Sequence, residues 1–353
     1  MKKITLGLCL VILNSLAFAQ NGLENIIVEK YYISNAADGT GSIGTLPTGS
    51  TTYRIYVDML PGYKFQAAYG VPDHQLTINS TLNFFNNEDY GATTPAFSKT
   101  NAAKNSVMLD SWLSVGAACT SNFGILKSED NGVNNVVNNT VPKILQSANV
   151  NAGIPLTTQD GLIAGTPEAV TFVGIGSPAI DVFDGTSVVG NAFSTSNGSW
   201  ASLNGSVGPT STNKVLIAQM TTKGCFSFEM NVQIGTPTGD VQNYVAKTPV
   251  GSEILFPGLT YNKASVTISA NPAGAVCSGT NITFTATPVN GGTTPVYQWK
   301  KNNVNVGTNS QTYSISTLAN GTVIKCVITS NAPNLCNASG TSNLITANIS
   351  PLP

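Results

Sequence analysis

The stretch VCSGTNITFTATPVNGGTTPVYQWKKNNVNVG, residues 276–307, decides the fold. Ile282, Phe284 and Ala286 recur every second position, which puts them on one face of an extended segment. A turn-rich Asn290-Gly291-Gly292 follows, and then Tyr297-Gln298-Trp299-Lys300, where a sandwich of two sheets would bury its central indole. Working outward, strand-like runs recur about every ten residues, at 264–270, 281–287, 296–301, 312–316, 322–330 and 343–349. Ile324, Cys326 and Ile328 share a face in the fifth. A boundary is expected near Asn262, after the loop-like Phe256-Pro257-Gly258.

Upstream the same period holds. Tyr53, Ile55 and Val57 alternate with Arg54, Tyr56 and Asp58, which predicts a half-buried strand. Similar runs lie at 26–34, 75–82, 169–173 and 214–221. Residues 215–221 and 225–234 read as a hairpin turning at Gly224, with Phe226, Phe228, Met230 and Val232 on one core face. The segment 131–165, rich in Asn, Pro, Gly and Thr, reads as a long surface loop with one short element near 142–148. Helical periodicity is scarce. The expected fold is therefore all-β: a β-sandwich-like N-terminal domain over 20–262, a second β-sandwich over 263–350, and the start of a linker or a truncated end at 351–353.

Composition agrees with many short strands joined by turns. Charged residues make up 9% of the 353, against about 25% in ordinary domains. The formal net charge of −1 provides no field for a polyanion, so nucleic acid is not an expected partner. Residues 1–19 read as a signal peptide, with Lys2 and Lys3, an apolar run from Ile4 to Leu16, and Ala17-Phe18-Ala19 before a cut at Gln20. No other apolar stretch reaches the ~18–20 residues needed to span a bilayer as a helix. The expected location is outside the cell or on its surface. Five cysteines follow the leader, Cys119, Cys225, Cys277, Cys326 and Cys336, and an oxidising compartment makes disulfides their expected state. Cys119 and Cys225 are the only two in the N-terminal domain, so their pairing is the economical expectation.

The order Cys277, Trp299, Cys326 resembles that of the immunoglobulin-like fold, over about a quarter of the chain. Cys277 precedes its strand, however, and Ile324 stands where a tyrosine corner would place Tyr. The wording of 276–307 is similar to immunoglobulin-like modules in large secreted surface proteins of Bacteroidetes. TYRIYVDMLPGYKFQAAYG (52–70), FFNNEDYG (84–91), MLDSWLSVG (108–116) and VLIAQMTTKG (215–224) are similar to a β-rich secreted domain without an assigned activity. The immunoglobulin topology implies a Cys277–Cys326 bridge, with Cys326–Cys336 as the alternative.

Candidate chemistry is sparse. Gly39–Gly44 spells G-x-G-x-x-G and Gly174–Ala179 G-x-G-x-x-A, but Pro47, Gly49 and Asp184-Gly185 forbid the helix that pyrophosphate binding needs, so turns explain both. His74, the only histidine, sits in the turn Pro72-Asp73-His74, and no G-x-S-x-G occurs. No catalytic residue or cofactor is assigned. Calcium is the one ion the loops could take, at Glu88 and Asp89, Glu129 and Asp130, or Asp181 and Asp184, though none has EF-hand spacing and solvated turns are the simpler explanation. Tyr31, Tyr32, Tyr53, Tyr56, Phe84, Phe85 and Tyr90 could form a sugar-stacking platform, with about half of them expected in the core. The leading expectation is a noncatalytic structural or adhesive protein whose partner is an extracellular protein or glycan. A carbohydrate-binding module is the alternative, and a glycoside hydrolase the third.

Overall fold

A computed structural model of the chain describes residues 21–36, 38, 46–98, 101, 106–129, 162–184, 189–333 and 335–350. The leader at 1–19, the Gly39–Gly44 pattern, Asp130, the element expected near 142–148 and residues 351–353 lie outside these. The described chain is all-β, with short 3-10 elements such as Val107–Leu109 and Asp181–Phe183 between strands.

The first sheet is antiparallel, in the spatial order Leu23–Ile33, Thr51–Met59, Lys214–Thr222, Trp112–Leu113. Alternation sends Tyr53, Ile55, Val57 and Met59 into one core, and Tyr56 with Tyr32, Trp112 and Leu216 into a second core on the opposite face. A small sheet of Ala117–Cys119, Asn122–Gly124 and Leu162–Ala164 borders that second core, contributing Ala118, Cys119 and Leu162. The half-buried expectation for residues 53–58 is thus corrected, because this sheet is covered on both sides. Arg54, fully buried, shows how a charge is accommodated there. Its guanidinium lies 3.6 Å from the Tyr31 ring centroid, and its Nε donates to Gln219 Oε1 at 2.9 Å. The Gln219 amide in turn donates to the carbonyls of Met108 and Asp110.

The second sheet runs Ile254–Leu255, Val241–Val245, Asn231–Gly235, Lys64–Gly70, Gly198–Ser206, Thr171–Val173. Past a bend, its three central lanes continue as Phe226–Glu229, Leu76–Ser80 and Ala192–Thr195, with Thr260–Tyr261 at the edge. Gly70 pairs with Gly198 and Leu76 with Thr195, so residues 71–75 loop out of one lane. A Cβ on Gly70 would stand 2.0 Å from the Thr195 carbonyl oxygen, so the bend requires glycine. Trp200 reaches across to the first sheet, its Nε1 donating to the Ile217 carbonyl at 3.1 Å.

The expected hairpin at 215–234 does not form. Lys214–Thr222 pairs within the first sheet and Phe226–Glu229 within the second, so the turn at Lys223-Gly224 carries the chain between layers. Phe226, Phe228, Met230 and Val232 still share the first core, as their spacing required.

From Ala264 onward a third core lies between two sheets. One contains Ser265–Asn271, Ile282–Val289 and Thr312–Ile315; the other runs Val304–Val306, Val296–Lys301, Val323–Thr329, Ser339–Thr341. Trp299 is fully buried against Phe284 and Tyr313, with its Nε1 bonded to the Ser310 carbonyl. Ile282, Phe284, Ala286, Ile324, Cys326 and Ile328 all line this core.

The cysteines correct the expected pairings. The bridge is Cys225–Cys336, with Cα atoms 5.4 Å apart, so Cys225 does not pair with Cys119, and Cys277 and Cys326 are free thiols. Cys119 is enclosed in the second core, where the Asn122 amide donates to its sulfur. Cys277 ends a short strand, Ala275–Cys277, that pairs parallel with Asn348–Ser350 and leaves it exposed, whereas Cys326 points into the third core. Cys225 instead meets the loop carrying Cys336.

Candidate functional site

The outer face of the second sheet holds a polar cavity. Ala68, Trp200, Val232 and Tyr244 point into the first core. Strand alternation therefore puts Tyr69, Ser199, Gln233 and Asn243 on the opposite face. Register aligns Ala201, Ala67, Gln233 and Asn243 in one cross-strand row and Ser199 with Tyr69 in the next. The small Ala67 at the centre leaves a depression of about 370 Å³.

One wall comes from the looped-out residues 71–75. Val71 and His74 exchange backbone hydrogen bonds around Pro72-Asp73, and the buried Asn231 amide donates to the carbonyls of His74 and Tyr69. That clamp directs the His74 ring, 3% exposed, to Glu253 Oε2 at 2.8 Å. Glu253 sits just before Ile254–Leu255, which pairs parallel with Val241–Val245, so the carboxylate stands beside Asn243. The Val250 N–H also donates to Oε2, at 2.7 Å, and neither contact engages Oε1. Gln233 Nε2 donates to Asn243 Oδ1 at 3.1 Å. The Tyr69 hydroxyl is buried without a hydrogen-bond partner among the described residues, and burial, reinforced by the Glu253 charge, pushes its pKa up to about 12. The cavity thus offers two amides, a hydroxyl, a tyrosine ring and a fixed carboxylate over a small apolar floor.

The residues singled out from sequence lie elsewhere. Glu88 and Asp89 are exposed in a turn organised by Asn87, whose Oδ1 accepts from the N–H groups of Asp89 and Tyr90. Glu129 is paired with Lys214. Asp181 accepts from Ser177 Oγ at 2.6 Å at the start of a 3-10 turn, Asp181–Phe183, and Asp184 closes that turn. Among the described residues no group of three or more His, Cys, Asp or Glu side chains could hold a metal ion. The aromatic platform is corrected: Tyr31, Tyr32, Tyr53, Tyr56, Phe84 and Phe85 are all buried, since the first sheet has no open face, and only Tyr90 is partly accessible. Gly174 to Ala179 forms a turn leading into that same 3-10 element rather than a helix.

Sequence reasoning placed His74 in its turn but could not find Glu253, 179 residues away. A second depression, of about 420 Å³, is lined by Asn302, Asn303, Val323, Lys325 and Leu344 in the C-terminal unit. Among the described residues no helix is long and apolar enough to cross a membrane. No protein-family model matches the chain, and no curated protein matches its sequence.

Proposed function

We propose that this chain is a noncatalytic extracellular or cell-surface adhesive protein, in which an immunoglobulin-like C-terminal unit acts as spacer and presenter for the larger unit. The observation that carries this reading is the Cys225–Cys336 bridge between the two units. Such a bond is sustained in oxidising surroundings and suits a part that must transmit load without the units separating. Noncovalent contacts reinforce it. Glu229 accepts from Lys247 and from Lys263, the latter at the junction, and Asn262 donates to the Phe226 carbonyl while its own carbonyl accepts from the Cys336 N–H. Glycoside cleavage ordinarily uses two carboxylates about 5–10 Å apart, and among the described residues Glu253 is the one carboxylate lining the outer-face cavity.

The test uses beads coated with the full chain, applied to cultured cell surfaces and to the same surfaces after enzymatic deglycosylation, while released sugar is assayed. Attachment to either surface without sugar release is the expected result. Failure to attach to both, or sugar release that Glu253→Gln abolishes, would overturn the reading.

A further inference from the structure

We infer that the outer-face cavity around Tyr69, Gln233 and Glu253 is a binding site for a neutral saccharide; this rests on the adhesive reading and names its ligand class. The lining chemistry carries the assignment. Sugar hydroxyls both donate and accept, and the Gln233 and Asn243 amides and the Ser199 hydroxyl do the same. The Glu253 carboxylate accepts only, and His74 and the Val250 N–H hold it in place before any ligand arrives.

Shape and charge narrow the class. A volume of about 370 Å³ falls within the ~300–1,000 Å³ of small-molecule sites and suits one or two sugar rings better than a protein segment. Among the described residues no lysine or arginine lines the cavity, and the Glu253 carboxylate would repel an anion, which leaves acidic sugars and phosphates disfavoured. Ala67 keeps the floor low, so the half-buried Tyr69 ring can meet the apolar face of a pyranose. The parts are also preorganised: the Gln233–Asn243 bond and the Asn231 clamp fix the polar groups, so little ordering is left for binding to supply.

Saturation-transfer NMR tests this on the full chain with D-glucose, D-galactose, D-mannose and N-acetyl-D-glucosamine as probes. Transfer to at least one sugar is expected, weakened about tenfold or more by Gln233→Ala and by Glu253→Gln, and unchanged by Asn303→Ala in the distant depression. Near-UV circular dichroism checks folding, and if either variant misfolds, Ser199→Leu, which intrudes on the cavity, takes its place. Absence of transfer to all four sugars, or transfer that survives the cavity substitutions, overturns the inference. Beads that still attach to deglycosylated surfaces in that case would leave the adhesive reading standing, whereas loss of both would remove it as well.

Discussion

Glu229 shows at the scale of one residue how the junction is held. Burial alone would push its carboxyl up, but the ammonium groups of Lys247, at 2.6 Å, and Lys263, at 3.2 Å, outweigh burial and hold it below the usual carboxylate range. A carboxylate whose folded pKa is depressed contributes stability above its unfolded value, about 4.3, and that contribution is lost as pH falls through the folded value. Glu229→Gln is accordingly expected to cost about 1–3 kcal/mol at neutral pH, discounted because both lysines are partly exposed. Urea titrations at pH 7 and pH 3 check this: the gap between wild type and variant should be present at pH 7 and shrink at pH 3. A gap of equal size at both values would mean that the carboxylate charge is not what holds the junction. Arg54 makes a related point. Its position in an alternating run suggested a wet face, yet it is buried over Tyr31, because a flat guanidinium can stack where an ammonium would be stranded.

The bent second sheet is the element that builds the cavity, and its pivot is the Gly70–Gly198 pair. Gly70→Ala would drive a methyl group into the Thr195 carbonyl and is expected to destabilise by about 1–3 kcal/mol. It should also shift the loop 71–75 and loosen the His74–Glu253 contact, which the His74 imidazole NMR signals would report. An alanine variant with wild-type stability and unchanged His74 signals would show that the bend does not depend on glycine. Much of this element was legible: period-two spacing located the strand around 75–82 and the shared face of Phe226, Phe228, Met230 and Val232. The layer assignment was not. Residues 215–221 and 225–234 look like neighbours in a hairpin, but Phe226 and Phe228 are drawn into a sheet whose other lanes come from residues 64–80 and 192–206. No local signal encodes that choice. The same limit hid the cavity, since Tyr69, Ser199, Gln233, Asn243 and Glu253 converge only through long-range register.

At the scale of the whole molecule, the two units are joined by one covalent bond and one short peptide connection. Tyr261 packs on the first core and Ala264 belongs to the third. The bridge closes a loop of 111 residues, for which the chain-entropy estimate is about 4–5 kcal/mol. The Cys225→Ser, Cys336→Ser double variant is therefore expected to unfold at lower denaturant concentration, whereas Cys277→Ser, at an exposed free thiol, should leave the midpoint unchanged. Equal midpoints for all three proteins would deny the bridge any structural role. Trp299, Cys326 and the alternating strands made the C-terminal sandwich readable, but counting cysteines by domain misassigned the bridge because it crosses between units. The most direct measurement is peptide mass mapping of the oxidised protein under non-reducing conditions, with free thiols alkylated first. A linked peptide containing Cys225 and Cys336, with Cys277 and Cys326 alkylated, is the expected result; a Cys119–Cys225 or Cys277–Cys326 peptide would contradict the clamped architecture.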